Sequence, residues 1–357
     1  MFKKLISLTL CICLCLTFVG CGNEQPQEEP PVQNEPVETA PVFLTNPLTG
    51  LSNLDPAKEN YRPVAVMIDN DSVAQKNAQA GVQAADIIYE TEAEGGITRL
   101  MAVFADISKA PQIGDVRSAR VQFLELATGH GAIYVHHGMD KVYCGPMMKQ
   151  LGIDNFVLDT NNCGWRHTYG KATNWQNLYT SGEKLANCLS EKKWKLTTDK
   201  VASWQNFTNE AVTLTDGTAA KVTVTFNGAS TSYFTYNADK KCYVKTSKSS
   251  ENKCVVTGAS YDFKNVFVLK TDMSYYPDAK HRKISYNSGS GYYFVNGTYE
   301  QIKWKKGDVK DPVVITKADG STLKVEAGNS WVCFAKNDSK TTIEAMPEAA
   351  TDTAANK

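Results

Sequence analysis

The chain has 357 residues, with 38 lysines and arginines against 38 aspartates and glutamates, and a formal net charge of zero. Balanced charge excludes the strongly basic surface that nucleic-acid phosphates require, so nucleic acid is not an expected partner. Roughly 300 residues lie between the polar segments at either end, more than the roughly 100–200 typical of one domain, and two domains are expected.

Taken in chain order, Lys3 and Lys4 precede an uncharged apolar run from Leu5 to Gly20. At about 16 residues the run is shorter than the ~20 that span a bilayer, and small Gly20 stands just before Cys21. Residues 1–21 resemble a lipoprotein signal peptide and lipobox. That resemblance implies removal of residues 1–20, acylation of Cys21, and a protein held by lipid on the extracytoplasmic face of the cell membrane. The mature chain would then carry 36 basic against 38 acidic residues, a net charge of −2. From Gly22 to Pro41 come five glutamates, five prolines and no lysine or arginine. Such a composition buries too little apolar surface to fold, so residues 22–45 are expected to be a disordered tether.

Residues 46–200 alternate strand and helix signals and are read as an α/β domain within an overall α+β fold. The apolar run Val64 to Ile68 ends in Asp69-Asn70-Asp71, as expected of a strand buried on both faces whose polar end emerges at a sheet edge. Ile87 to Tyr89 and Leu100 to Phe104 read as two further strands separated by the Gly95-Gly96 turn, and Ala132 to Val135 as a fourth. Ser118 is placed to cap a helix running to Ala127, and Thr180 with Glu183 reads as a capping box opening a helix to Trp194.

From Val212 the apolar period becomes two, so residues 205–337 are expected to form a mostly antiparallel β domain. Val222, Val224 and Phe226 alternate with threonines, and Asn296-Gly297 between Tyr292–Val295 and Tyr299–Trp304 is a hairpin signal. Asp319-Gly320 marks a second turn. Residues 338–357, rich in Ala, Thr and Glu, are expected to be a disordered tail.

Six cysteines lie beyond the signal and Cys21: Cys144, Cys163, Cys188, Cys242, Cys254 and Cys333. An even number in an exported protein permits disulfides. Cys242 and Cys254 flank a short polar stretch and are the pair expected to meet across a hairpin.

Several motifs occur in a fixed order: Asn46-Pro47-Leu48-Thr49-Gly50-Leu51, Arg62 through Asn70, Ala85 through Glu90, Glu94-Gly95-Gly96-Ile97-Thr98-Arg99, Val116-Arg117-Ser118-Ala119-Arg120 and Asn177-Leu178-Tyr179-Thr180. With Trp304-Lys305-Lys306 and Gly328-Asn329-Ser330-Trp331 they resemble the DUF3048 family of YerB-like lipoproteins. The resemblance implies a two-domain extracytoplasmic lipoprotein. It brings no activity with it.

The chemistry must therefore be read from the residues. Arg117 and Arg120 are three apart, and a helix opened by Ser118 would set both near free N–H groups that favour an anion. With Arg99 beside them, and Asp69 and Glu94 at the same strand ends, they form a candidate site for a phosphate or carboxylate ligand. The competing reading is an internal network in which these arginines pair with Asp69, Glu90 or Glu94. Asp69 and Glu90 are also the candidate acid and base of a cell-wall glycan or peptide hydrolase. His137 and Asp140 are the candidate metal ligands, although no metal is expected, since adjacent His136 and His137 point to opposite faces of a strand. Cys144 or Cys163 with His167 is a coincidence of composition, and no G-x-S-x-G elbow, G-x-G-x-x-G or P-loop occurs, so no cofactor is expected. The aromatics of the second half, Tyr292 through Trp331, read as sheet core. The expected function is a non-catalytic, membrane-tethered module that binds an anionic envelope ligand, with the hydrolase and a protein–protein scaffold as alternatives.

Overall fold

A computed structural model describes residues 42–159, 162–248 and 250–347. The signal, Cys21 and most of the tether lie outside the described residues. Strand β1 (Val64–Asp69) is followed by helix α1 (Ser72–Asn77), strands β2 (Ile87–Glu92) and β3 (Thr98–Phe104), helix α2 (Val121–Gly129), strand β4 (Ile133–His136), helix α3 (Cys144–Leu151), strands β5 (Asn155–Val157) and β6 (Leu178–Ser181), and helix α4 (Gly182–Ser190). The second half contributes β7 (Lys221–Thr225), β8 (Thr231–Asn237), β9 (Cys242–Ser247), β10 (Tyr261–Phe263), β11 (Asn265–Thr271), β12 (Ser288–Val295), β13 (Thr298–Lys306), β14 (Val313–Lys317), β15 (Ser330–Lys336) and β16 (Thr341–Glu344).

Strand dominates, at 41% against 15% helix, and the main sheet joins both halves of the chain. Its order is β13-β12-β11-β15-β2-β3-β1-β4-β5, with β14 and a two-residue strand at Gly217–Thr218 completing eleven. The junction is a parallel pair: β15 aligns Trp331 with Ile88 and Cys333 with Glu90. On its other side β15 runs parallel to β11. The two sequence-defined regions thus share hydrogen bonds through the middle of one sheet.

Side chains alternate across each strand, and the two faces of the main sheet build two cores. Val66, Ile68, Ile88, Leu100 and Trp331 face a second, antiparallel sheet ordered β10-β9-β8-β7-β16, meeting its Val222, Phe234, Tyr243 and Phe263. Ala65, Met67, Tyr89 and Met101 face the other way, against Phe123, Leu124 and Leu126 of α2 and Met148 of α3. Each fully buried Val, Ile, Leu, Phe or Met side chain among these contributes about 1.5–3 kcal/mol. Of the second-half aromatics, Tyr293, Phe294, Trp304 and Trp331 are buried in these cores, and Tyr292 and Tyr299 are partly buried against one of them.

Asn296 and Gly297 adopt φ of 49° and 71° between β12 and β13, the left-handed pair that a tight hairpin demands. The helix starts differ from expectation. Helix α2 begins at Val121 with Arg120 as its N-cap and no side-chain cap, so Ser118 caps nothing and both arginines precede the helix. For α4 the cap is Ser181, whose Oγ accepts from the Lys184 N–H at 3.2 Å; Thr180 instead donates to the Cys163 carbonyl at 2.8 Å. The helix stops at Ser190 rather than reaching Trp194.

The disulfide also differs. Cys163 is bonded to Cys188, while Cys242 and Cys254 are both free and buried. The reason is geometric: β9 runs unbroken from Cys242 to Ser247, about 17 Å of extended chain, and Cys254 lies beyond its far end, where Lys253 pairs with Ser260. Within the expected tail, Thr341–Glu344 forms the edge strand β16 on β7.

Candidate functional site

Strands β1, β4 and β5 run parallel, and β2 points the same way because both β1 and β2 are antiparallel to β3. Their carboxyl ends therefore collect Asp69, Asn70, Asp71, Glu92, His136 and His137 at one edge of the sheet, where β3 also begins with Thr98 and Arg99. In sheets with parallel strands this edge is where side chains from several strands converge on one crevice. The segment carrying Arg117, Ser118 and Arg120 lies along it, with the His137 N–H donating to the Arg117 carbonyl at 2.9 Å and the Ala119 N–H to Gly138 at 3.0 Å.

Asp69 is the hub. It is 1% exposed, and one carboxylate oxygen accepts from the Asn70 N–H at 2.8 Å. Arg117 Nε lies 2.9 Å from the other oxygen as a close ion contact, and Arg99 approaches at 3.7 Å. Arg99 is 3% exposed and also donates to the Ser118 carbonyl at 3.3 Å. Burial lowers its pKa and the Asp69 charge opposes that shift. Arg120 pairs with Glu94; burial would raise the Glu94 carboxyl, but the hydrogen bond and charge of Arg120 hold it below its usual value. Asp115 lies fully buried nearby, with both carboxylate oxygens lacking a hydrogen-bond partner. Burial first, and the Asp69 charge second, push its carboxyl well above the usual range.

The three arginines thus differ. Arg99 is sealed, while the side chains of Arg117 and Arg120 keep 19% and 15% of their surface exposed. Arg117 Nη1 donates to the Trp175 carbonyl at 2.7 Å. Trp175, which sequence reasoning missed, is 62% exposed on a loop that crosses this edge. Gln176 fixes the loop by donating to both Asp71 oxygens at 2.7 and 2.6 Å. Asp71 also caps α1 through the Val73 and Ala74 N–H groups.

Asp69 and Glu90 cannot work as a pair. Asp69 follows Ala65 and Met67 onto the helix-covered face, whereas Glu90 follows Ile88 onto the face of the second sheet. There Glu90 accepts from Asn70 Nδ2 at 2.9 Å, Thr98 Oγ1 at 2.8 Å, Ser232 Oγ at 2.9 Å and Trp331 Nε1 at 2.9 Å. It is a saturated core residue, 1% exposed, and two carboxylates on opposite sides of a sheet cannot flank one glycosidic bond.

The remaining candidates also separate. Asp140 accepts from the N–H groups of Val142, Tyr143 and Cys144 at the start of α3, and His137 turns to Asp159 at 2.9 Å. His136 is buried against the Gly138 carbonyl, so the two histidines do point apart. Among the described residues no group of three His, Cys, Asp or Glu side chains is arranged to hold a metal ion. Cys163 is consumed by its disulfide, and burial pushes the Cys144 thiol up to about 12, far from the thiolate a nucleophile needs.

The family profile described as "Protein of unknown function (DUF3048) N-terminal domain" matches residues 48–195, and the corresponding C-terminal-domain profile matches 222–332. The chain belongs to the DUF3048 family. Within DUF3048 it is 30% identical over 309 residues to the candidate lipoprotein YerB of Bacillus subtilis (strain 168), covering 84% of this chain and 88% of YerB. The crystal structure of the YerB protein from Bacillus subtilis matches with a TM-score of 0.70 at 25% identity, over 84% of this chain and 99% of that one. The strand-rich architecture is therefore shared with the solved YerB structure. No helix among the described residues is long and apolar enough to cross a membrane.

Proposed function

We propose that this DUF3048 protein is a lipid-anchored, extracytoplasmic binding module whose carboxyl sheet edge holds an anionic envelope polymer without chemical turnover. One observation carries the reading: Arg117, whose side chain keeps 19% of its surface exposed, donates to the backbone carbonyl of Trp175, itself 62% exposed, so a guanidinium and an indole both reach solvent at the same edge. An indole face suits the apolar face of a sugar ring, and a guanidinium suits the phosphate or carboxylate such a sugar carries. Asp69, Arg99 and Ser118 act behind them as positioning groups, and the Arg120–Glu94 pair forms the rim. Anchoring through Cys21 is supported by the apolar run before it and by the lipoprotein designation of YerB.

Two measurements check these halves separately. Cys21→Ser is expected to move the protein from the membrane to the soluble fraction or to leave an uncleaved precursor; a processed variant that fractionates like wild type rejects the anchor. For the site, a phosphate-bearing polysaccharide should quench or shift tryptophan fluorescence while its neutral counterpart does not, and added salt should weaken the effect. Trp175→Ala is expected to abolish the signal. Equal responses to the charged and neutral polymers reject the assignment.

A further inference from the structure

Lys245 projects from β9 into the sealed space between the two sheets, where it is 0% exposed. Its Nζ lies 3.1 Å from Oδ1 of Asn252, itself 0% exposed, and 5.3 Å from the centroid of the Trp331 ring. The Asn252 amide nitrogen has no hydrogen-bond partner. The same Trp331 indole donates its N–H to Glu90 at 2.9 Å, so one ring has a buried carboxylate at its edge and a buried amine over its face, and the Glu90 charge acts on Lys245.

A lysine in that position satisfied by a single amide oxygen is expensive, because an ammonium out of water costs several kcal/mol unless it is fully paired. The contact that partly satisfies it also presents the carboxamide carbon one bond away. We propose that Lys245 and Asn252 are joined by an intramolecular isopeptide bond, formed as Lys245 Nζ displaces the Asn252 amide nitrogen, with Glu90 as the proton relay.

The step balances within the protein. The Lys245 ammonium passes one proton to Glu90, and the neutral amine attacks Asn252 Cγ. The Nζ–Cγ bond forms and the Cγ–Nδ2 bond breaks. Glu90 hands its proton to the departing nitrogen, which leaves as ammonia, and takes the second Nζ proton in its place; no oxidant or reductant is involved. Burial lowers the Lys245 pKa, opposed by the Glu90 charge, which favours the amine the attack requires. The departing Nδ2 gives up no hydrogen bond, and the product replaces a buried ammonium with a neutral amide. Holding both reactants in a packed core supplies the proximity that makes an otherwise sluggish exchange of amides feasible.

The test is a peptide map of the reduced, full-length protein. Trypsin cuts after Lys241, Lys248 and Lys253 but not after an acylated Lys245. The proposal therefore predicts peptides 242–248 and 249–253 joined as one branched species, lighter than their sum by one ammonia. Lys245→Arg and Asn252→Ala should each abolish it, and so should Glu90→Gln, whose near-isosteric amide is chosen to preserve the fold, checked by near-ultraviolet circular dichroism. Wild-type protein that yields cleavage at Lys245 and three separate, full-mass peptides, 242–245, 246–248 and 249–253, overturns the proposal. So does an ammonia deficit confined to 249–253, which a cyclised Asn252 alone would give. A branched peptide undiminished in Glu90→Gln overturns the relay.

Discussion

Asp69→Ala is expected to destabilise the folded body by about 3–5 kcal/mol, because it removes the carboxylate paired with the buried Arg99 guanidinium and leaves that charge facing Arg117 and Arg120. The loss should fall toward about 3 kcal/mol, since removing the Asp69 charge also relieves the neighbouring Asp115 carboxyl. Asp69→Asn keeps an acceptor for the Asn70 N–H and should lie between wild type and alanine. Pairing Asp69→Leu with Arg99→Met should recover much of the stability, as buried ion pairs exchanged for apolar residues often do. Denaturant melts of the four proteins check this. A single Asp69→Ala variant with an unchanged midpoint would show that the hub does not support the fold.

Trp331→Ala should cost about 3–5 kcal/mol through the cavity it leaves, before counting the lost N–H that satisfies Glu90. Trp331 packs edge-on against Phe263 at 5.1 Å and Phe234 at 5.8 Å, so it ties the main sheet to the second one. Its strand, β15, stands between β11 and β2. Both halves should therefore lose structure together in one transition shifted to lower denaturant, whichever half reports. Two separated transitions, with the first half intact after the second has melted, would contradict the shared-sheet architecture.

The elements that sequence reading found are those with strong local signals. The apolar run at Val64–Ile68 and the Asn296-Gly297 turn are dictated within a few residues of themselves, and both are present. What it missed depends on distant partners. Nothing near Ser330–Lys336 indicates that this strand will insert beside Ile87–Glu92, more than 200 residues earlier in the chain. Trp175 and Gln176 sit in a polar stretch without periodicity, and their importance comes from Arg117 and Asp71. Ser118 failed as a cap because Arg120, already held along the sheet edge by Glu94, fixes where α2 can begin. The edge strand at Thr341–Glu344 is legible in its Thr-Thr-Ile run, although the Ala- and Glu-rich residues after it have the composition of a tail. For the candidate site, the order of the strands is what brings Asp69 to Arg99 and Arg117, and Glu94 to Arg120. The sequence could not tell that Glu90 faces the opposite side of the sheet from Asp69, because that follows from which strand pairs with which.

The most direct measurement is made on Arg117→Ala, melted without ligand and then titrated with the phosphate-bearing polysaccharide. Arg99 remains beside Asp69 in this variant, so the melt should move by no more than about 1 kcal/mol, as for a partly exposed pair. Affinity should fall by about 10- to 150-fold, the value of a charge-assisted hydrogen bond of roughly 1.5–3 kcal/mol. A large drop in the ligand-free midpoint, or binding equal to that of wild type, would instead make Arg117 a structural member of the buried network and contradict the binding edge.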